Sequence, residues 1–226
     1  MIKFGLITEG LTDQIVIKSI LAGYFNRSDL VVRSLQPEID KDKNYGGWTL
    51  VFDYCKSNLF RESFQYNDYI IIQIDTDVLL DSQNSNYNIP QRDEKGNEFT
   101  PQQSIEKVIE KFRDTIGEDF YDKHQQRIVF AISVDSIECW FLPLYYTDNR
   151  KSKSQNCLDT LNQELLRREN FTIDKNAKNP DDYRKISKQY GKHKVLMNHY
   201  QDNPSLKIFI EEIERRNIQI LEEDDW

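Results

Sequence analysis

Two patterns of apolar residues alternate along the chain: short, nearly continuous apolar runs, and longer segments in which apolar residues recur every three or four positions. The first pattern predicts strands and the second predicts helices. Largely apolar runs at Ile2–Thr8, Leu30–Leu35, Tyr69–Ile74 and Arg127–Ser133 are typical of strands inside a parallel sheet. Strand and helix alternate four times, which favours a three-layer α/β domain with right-handed crossovers.

The first and third predicted helices begin at residues that favour a helix start, and the second is predicted from its helical spacing. Thr12 or Asp13 is expected to cap the first helix, and the second is expected to span Trp48–Phe60. Pro101 opens the third, after a long polar segment at 81–100.

The pattern changes near residue 149. A helix expected at Ile137–Tyr146 contains Pro143, which should disturb it. Three further helical patterns follow without a strand between them, at Cys157–Arg168, Pro180–Tyr190 and Pro204–Arg216. We therefore predict an α/β catalytic domain at 1–149 and a helical, partly basic extension at 150–226 that packs on it.

Composition favours a folded, cytoplasmic protein with no membrane partner. The chain has 226 residues, of which 38% are hydrophobic, and no apolar run approaches the roughly 18 residues of a membrane helix. Its three cysteines, Cys55, Cys139 and Cys157, form no CxxC pair, so they indicate neither a zinc cluster nor a secreted disulfide framework.

Charge is distributed unevenly. The net charge is −8, yet residues 150–207 contain thirteen Lys and Arg against seven Asp and Glu, a local net of +6. This basic region could contact the phosphates of a nucleic acid through Lys185, Lys188, Lys192 and Lys194. Ordinary solvated helix faces would produce the same pattern.

Carboxylates follow three of the four predicted strands. Glu9 follows the first, Asp75 and Asp77 follow the third, and Asp135 and Glu138 follow the fourth. Ligand sites of open α/β sheets lie beyond the carboxyl ends of the strands, so these acids are expected to converge. An all-oxygen cluster suits Mg²⁺ or Mn²⁺, which can assist phosphoryl transfer.

Each acid also has an ordinary structural explanation. Aspartate after a strand is a frequent turn former, and a single DxD is a weak signal. Glu9 could serve a turn or a cap, and Asp135 could cap a helix at Ser136.

The segments LITEGLTD and IIIQIDTDV together resemble the Toprim domain, the catalytic module of topoisomerases, bacterial primases and OLD-family nucleases. That family places a Glu after its first strand and a DxD after a later one. The resemblance implies a Rossmann-like Toprim fold, with a mostly parallel central sheet flanked by helices, over about residues 2–146.

The chain is more closely similar to small, stand-alone OLD-like Toprim proteins of bacteria, some of which are associated with phage defence. The segments TEGLTD, GGW, VDSIECWFL and NPSLKIFIEEI carry this similarity. It implies that Glu9 is a general acid or base or a metal ligand, that Asp75 and Asp77 hold Mg²⁺, and that Glu138 is a further ligand. Gly10 would let phosphate approach, with Asp13 and Asp135 in support.

Three functions remain open from the sequence. The first is a Mg²⁺- or Mn²⁺-dependent nuclease acting on DNA or RNA. Because no ATPase motif is present, an ATPase partner would be a separate protein. The second is a haloacid-dehalogenase-like phosphatase with Asp75 as nucleophile, which leaves Glu9 without a role. The third is a non-catalytic partner protein of a defence complex.

Overall fold

The computed structural model of the chain describes residues 2–38, 46–77, 89–90 and 92–220. It confirms the predicted α/β architecture, because its strands form one parallel sheet with helices packed around it. The sheet has the order β2-β1-β3-β4, with the strands β1 Lys3–Ile7, β2 Val31–Gln36, β3 Tyr69–Asp75 and β4 Ile128–Ser133.

The helices surround this sheet and continue into a helical C-terminal region. The α-helices are α1 Leu11–Phe25, α2 Trp48–Lys56, α3 Asn58–Ser63, α4 Pro101–Ile116, α5 Glu118–His124, α6 Leu142–Tyr145, α7 Cys157–Glu169, α8 Pro180–Ser187, α9 His193–His199 and α10 Pro204–Arg215. Short 3₁₀ helices lie at Gln125–Arg127, Ile137–Phe141, Asn149–Ser152 and Tyr200–Asp202.

The strand register brings three carboxyl ends to one edge of the sheet. β1 lies between β2 and β3, and Ile7 of β1 pairs with Ile72 of β3. β3 pairs in turn with β4, and its last residue, Asp75, lies opposite Ser133. The residues that follow β1, β3 and β4 are therefore neighbours.

Two apolar cores cover the two faces of the sheet. One contains Phe4 and Trp140 together with C-terminal residues as distant as Ile213, and the other lies under α2 and α4. Trp140 stacks on Phe209 and donates a hydrogen bond of 2.8 Å from Nε1 to Ser205 Oγ. The first core therefore extends across both predicted parts of the chain, whose division into domains stays a prediction.

Two helix predictions were wrong in detail. The helix predicted over Trp48–Phe60 is two helices, because Ser57 has extended backbone and its hydroxyl accepts the N–H of Phe60, which starts α3. Pro143 does not disturb a long helix. It lies in the first turn of the short α6, where a missing N–H removes no helical hydrogen bond.

Some expectations fall on residues that the structure does not describe. The acidic C-terminal segment at 221–226, and residues 81–88 and 91 of the polar segment at 81–100, lie outside the described residues. Within the described ranges, no helix has both the length and the apolar character needed to cross a membrane.

Candidate functional site

The carboxyl ends of β1 and β3 bring Glu9 and Asp75 into direct contact. Glu9 follows β1, and Asp75 is the last residue of the adjacent β3. The backbone N–H of Asp75 donates a hydrogen bond of 2.6 Å to Glu9 Oε1. The sheet topology thus joins two residues that lie 66 positions apart in sequence.

The first turn of α1 adds a third carboxylate. α1 begins at Leu11 with Gly10 as its N-cap and without a side-chain cap, so the prediction that Thr12 or Asp13 caps it was wrong. Both residues are buried within the first turn instead. Asp13 Oδ1 is buried and has no hydrogen-bond partner in the described part of the chain, an arrangement that is rare in native proteins.

Glu9, Asp13 and Asp75 line one cleft of about 580 Å³ at this edge of the sheet. Lys175 and Lys178, from the segment before α8, line the same cleft. Its volume lies within the range of typical ligand sites, and its position at the carboxyl ends of the strands is where open α/β sheets bind ligands.

Burial and mutual repulsion raise the pKa values of these carboxylates. Burial raises the pKa of Glu9 to about 8, and the charges of Asp13 and Asp77 add to the effect, while the N–H of Asp75 opposes it. Burial also raises the pKa of Asp75 well above its ordinary value, with further contributions from Glu9 and Asp13. A bound cation would favour the charged forms of both residues.

Asp13 behaves in the same way. Burial raises its pKa to about 7, and the charge of Glu138 adds to the effect, while Lys178 opposes it. Perturbed carboxylates that gather in a cleft are a recognised sign of a functional site.

Glu138 has a partner of its own. Its carboxylate is fully buried, and Lys178 Nζ lies 2.8 Å from Glu138 Oε1. The hydroxyl of Tyr183 donates a hydrogen bond to the same oxygen. Burial alone would raise the pKa of Glu138, but Lys178 and hydrogen bonds from Ser136 and Tyr183 lower it overall.

Lys178 therefore supplies a positive charge inside the cleft, next to Glu138. Burial acts to lower its pKa, but the surrounding carboxylates of Glu138, Asp75 and Asp13 raise it. Lys178 was not among the predicted site residues, because the lysines predicted to bind phosphate lie further along the basic region. The signal that could have found it is the two lysines in KNAKNP, just before the predicted helix start at Pro180.

Asp77 and Asp135 line a different cavity, of about 360 Å³. β3 ends at Asp75, so Asp77 lies in the following turn, and its N–H donates a hydrogen bond of 2.9 Å to the carbonyl oxygen of Asp135. Asp75 and Asp77, which were expected to hold Mg²⁺ together, therefore line separate cavities. Asp77 nevertheless lies close enough to influence the pKa of Glu9.

Asp135 has a structural role that differs from the predicted one. Its backbone is left-handed, with φ 67°, and the 3₁₀ helix after Ser136 has no side-chain cap. Its carboxylate instead accepts a hydrogen bond of 3.3 Å from the N–H of Cys157, the first residue of α7. The prediction that Asp135 caps a helix at Ser136 was therefore wrong. Its carboxylate instead accepts the first N–H of α7, although Asp135 lies far from that helix in sequence.

Gln73 is a second residue that sequence analysis missed. Its side chain is fully buried in β3, where its Nε2 donates a hydrogen bond of 2.9 Å to Asp75 Oδ1. Its Oε1 accepts a hydrogen bond of 3.3 Å from the N–H of Glu9. One amide thus contacts both acidic residues. The available signal was a single polar residue within the apolar run YIIIQI.

Glycines allow close backbone approach at the cleft, but the critical one is Gly46. A Cβ on Gly46 would lie 2.3 Å from the carbonyl oxygen of Glu9, which also accepts the N–H of Gly47. At Gly10 the nearest atom to an added Cβ would be Asp13 Oδ2, at 3.1 Å. The GGW segment therefore packs directly over the backbone of Glu9.

The four lysines predicted to contact nucleic acid lie on the exposed surface of the C-terminal helices. Lys185 is 3.3 Å from Glu169 Oε2 and lies over the ring of Phe171, and Lys192 contacts Gln189. Lys188 and Lys194 are exposed, and none of the four lines the acidic cleft. Their contact with nucleic acid stays a prediction.

Comparison with protein-family models, with curated proteins and with solved structures finds no match to this chain. The resemblance to the Toprim family therefore stays a prediction that depends on the motifs.

Proposed function

We propose that the protein is a Mg²⁺- or Mn²⁺-dependent nuclease that hydrolyses phosphodiester bonds of DNA or RNA. The observation that carries this proposal is the cleft that gathers Glu9, Asp13 and Asp75, whose pKa values are all raised, beside two lysines. Carboxylates with cations close by suit a substrate whose phosphate is bound through both metal and lysine.

The residue types of the cleft suit a hard divalent cation, but among the described residues three of their carboxylate oxygens do not lie within 4.8 Å of one another, so these side chains would have to move to hold the ion. The acidic side chains of the cleft offer only oxygen ligands, the type that Mg²⁺ and Mn²⁺ prefer, and Asp13 Oδ1 has no other partner in the described residues. Asp13 and Asp75 would hold the ion, with Asp77 nearby in the adjacent turn, while Glu9 stays free for proton transfer. When bound, such an ion supplies a Lewis acid for a phosphoryl oxygen.

Glu9 is suited to proton transfer. Its pKa of about 8 lies near neutral pH, where a general acid or base is most effective. The N–H of Asp75 occupies Oε1, so the proton is carried on Oε2. Gln73 and the backbone of Asp75 together hold Glu9 in place.

Lys178 is positioned to offset the charge of a phosphate. Its side chain is about one-third exposed, while the Glu138 side chain that pairs with it is buried. Glu138, predicted as a metal ligand, is therefore assigned here to orienting Lys178. The exposed Lys175 at the rim would attract the polyanion.

The first experiment is a cleavage assay on supercoiled plasmid, linear DNA and RNA, with Mg²⁺, Mn²⁺ or EDTA. We expect cleavage that requires the metal and that falls at least about 100-fold in Glu9→Gln, since general acid–base groups contribute about that much. Asp114→Asn is the matched control, because Asp114 is exposed on α4 and far from the cleft residues in sequence.

The same preparation tests the alternatives. Hydrolysis of p-nitrophenyl phosphate without nucleic-acid cleavage would favour the phosphatase. Absence of both activities, together with no heat of Mn²⁺ binding in calorimetry, would favour the non-catalytic partner protein. An association with phage defence and a separate ATPase partner remain further parts of the proposal.

A second prediction concerns Gln73. Gln73→Leu removes the amide that contacts Asp75 and Glu9 but keeps a side chain of similar size in the core. We expect at least about tenfold weaker Mn²⁺ binding by calorimetry, the effect typical of losing a group that orients a metal ligand. The exposed Gln65→Leu is the matched control, and unchanged affinity in Gln73→Leu would remove Gln73 from the site.

A further inference from the structure

Two cysteines and one aspartate meet outside the acidic cleft. Cys139, in the 3₁₀ helix after β4, is joined by a disulfide to Cys157 at the start of α7, with their Cα atoms 4.9 Å apart. One ligand atom each from Cys139, Cys157 and Asp135 lie within 4.8 Å of one another. The sequence did not indicate this pairing, because 18 positions separate the cysteines.

The carboxylate of Asp135 is held towards the two cysteines by its backbone. The N–H of Asp135 donates a hydrogen bond of 2.8 Å to Thr76 Oγ1, and its carbonyl oxygen accepts the N–H of Asp77. These bonds anchor the residue in its left-handed conformation independently of the cysteines. A preorganised carboxylate beside two sulfur atoms is a ligand arrangement that the proposed nuclease chemistry does not use.

We infer that Cys139, Cys157 and Asp135 form a redox-controlled site for Zn²⁺ or a similar thiophilic divalent cation. The disulfide is the oxidised, metal-free state of this site. In the reduced state, two thiolates and one carboxylate supply three ligands, the number of protein ligands found in zinc sites that keep one position open. Asp135 also lines the 360 Å³ cavity, from which a water molecule can take the fourth position.

A low-molecular-weight thiol can serve as the reductant that converts the disulfide form of the site into its dithiol form. Two molecules of that thiol break the Cys139–Cys157 bond, form two cysteine thiols and leave as their own disulfide. Zn²⁺ then replaces the two thiol protons, which pass to solvent. In the reverse direction, a disulfide oxidant takes two electrons from the thiolates and the metal is released.

The test uses the full chain and Cd²⁺ or Co²⁺ as probes, because thiolate ligands give these ions a charge-transfer absorption that carboxylates do not. We expect one equivalent of thiolate-bound metal in the reduced protein and none in the oxidised protein. Cys157→Ala should lose the absorption, while Cys55→Ala should keep it, since Cys55 is buried in the other core.

Two further variants test whether the metal binds at this site and not in the acidic cleft, and whether a loss of binding is due to misfolding. Asp75→Asn should keep the absorption, and Asp135→Asn should weaken metal binding at least about tenfold. Reduced wild-type protein without the absorption, or Cys157→Ala with it, would overturn the inference. If circular dichroism shows that Cys157→Ala is unfolded, two measurements decide the question. They are the absorption of reduced wild-type protein compared with that of oxidised wild-type protein, and the metal affinity of Asp135→Asn.

Discussion

Asp75→Asn is expected to abolish metal-dependent cleavage and, in the absence of metal, to make the protein more stable at pH 8. Asp75 is buried, and its pKa is raised because burial and the neighbouring acids disfavour its charge. At pH 8 the carboxylate must either keep a proton or carry a costly buried charge. Asparagine has nearly the same shape, can still accept the Gln73 hydrogen bond and never ionises.

The two effects have opposite signs, which makes the test sharp. We expect cleavage to fall by about 10²–10³-fold, as for loss of a group that stabilises charge in the transition state. We expect stability to rise by about 1 kcal/mol, or roughly 2–4 °C in Tm for a chain of this size. The measurements are the cleavage rate and thermal unfolding in EDTA at pH 8.

Asp114→Asn is again the matched control, and it should leave both quantities unchanged. An Asp75→Asn variant that cleaves at the wild-type rate would refute the site assignment. A variant that loses both activity and stability would show that Asp75 mainly supports the fold.

The second large effect is a loss of stability of the metal-free protein as pH rises from about 5 to about 8. In the folded protein the pKa of Glu9 is about 8 and that of Asp13 about 7, above the ordinary values near 4 of an unfolded chain. Within this window the folded state binds more protons than the unfolded state. The free energy of unfolding therefore decreases with rising pH.

The expected loss is a few kcal/mol, because each unit of pKa difference corresponds to about 1.4 kcal/mol and the acids titrate together. Glu138 acts in the opposite sense, since Lys178 lowers its pKa, but that effect lies at pH values below its ordinary pKa of 4.5. Urea unfolding in EDTA at pH 5, 6, 7 and 8 measures the dependence.

Two comparisons test whether the cleft carboxylates cause the pH dependence of stability. The double variant Glu9→Gln, Asp13→Asn should reduce the pH dependence, because two of the three cleft carboxylates with raised pKa values are gone. Mn²⁺ should stabilise the wild-type protein more at pH 8 than at pH 5, since the ligands must lose their protons to bind it. A wild-type profile that is flat or that rises with pH would show that these carboxylates are not held in their protonated forms.

Local pattern was sufficient to predict the strands. Tyr69–Asp75 is a nearly continuous apolar run, and a run of this kind has few alternatives to a buried parallel strand. The start of α4 was equally clear, because Pro101 follows Thr100, whose side chain forms a capping box with Gln103. The start of α1 was not, because the residues expected to cap it are buried in its first turn.

The candidate site was predictable only where adjacent strands place the residues. Glu9 and Asp75 meet because β1 and β3 are neighbours and both end at the same edge. Glu138 was expected to share that cluster as a ligand, but a lysine forty residues later, Lys178, pairs with it. Long side chains from separate segments meet according to the packing of helices, and one sequence does not record that packing.

By itself, the sequence determined the α/β class, the approximate positions of the strands and the arrival of Glu9 and Asp75 at one edge. These depend on local periodicity and on the general rules of parallel sheets. Only the tertiary structure decided that Asp13 enters the cleft, that Lys178 neutralises Glu138, that Asp77 and Asp135 face another cavity and that Cys139 joins Cys157. The physical reason is that burial and charge pairing depend on distances through space, between residues that no local pattern connects.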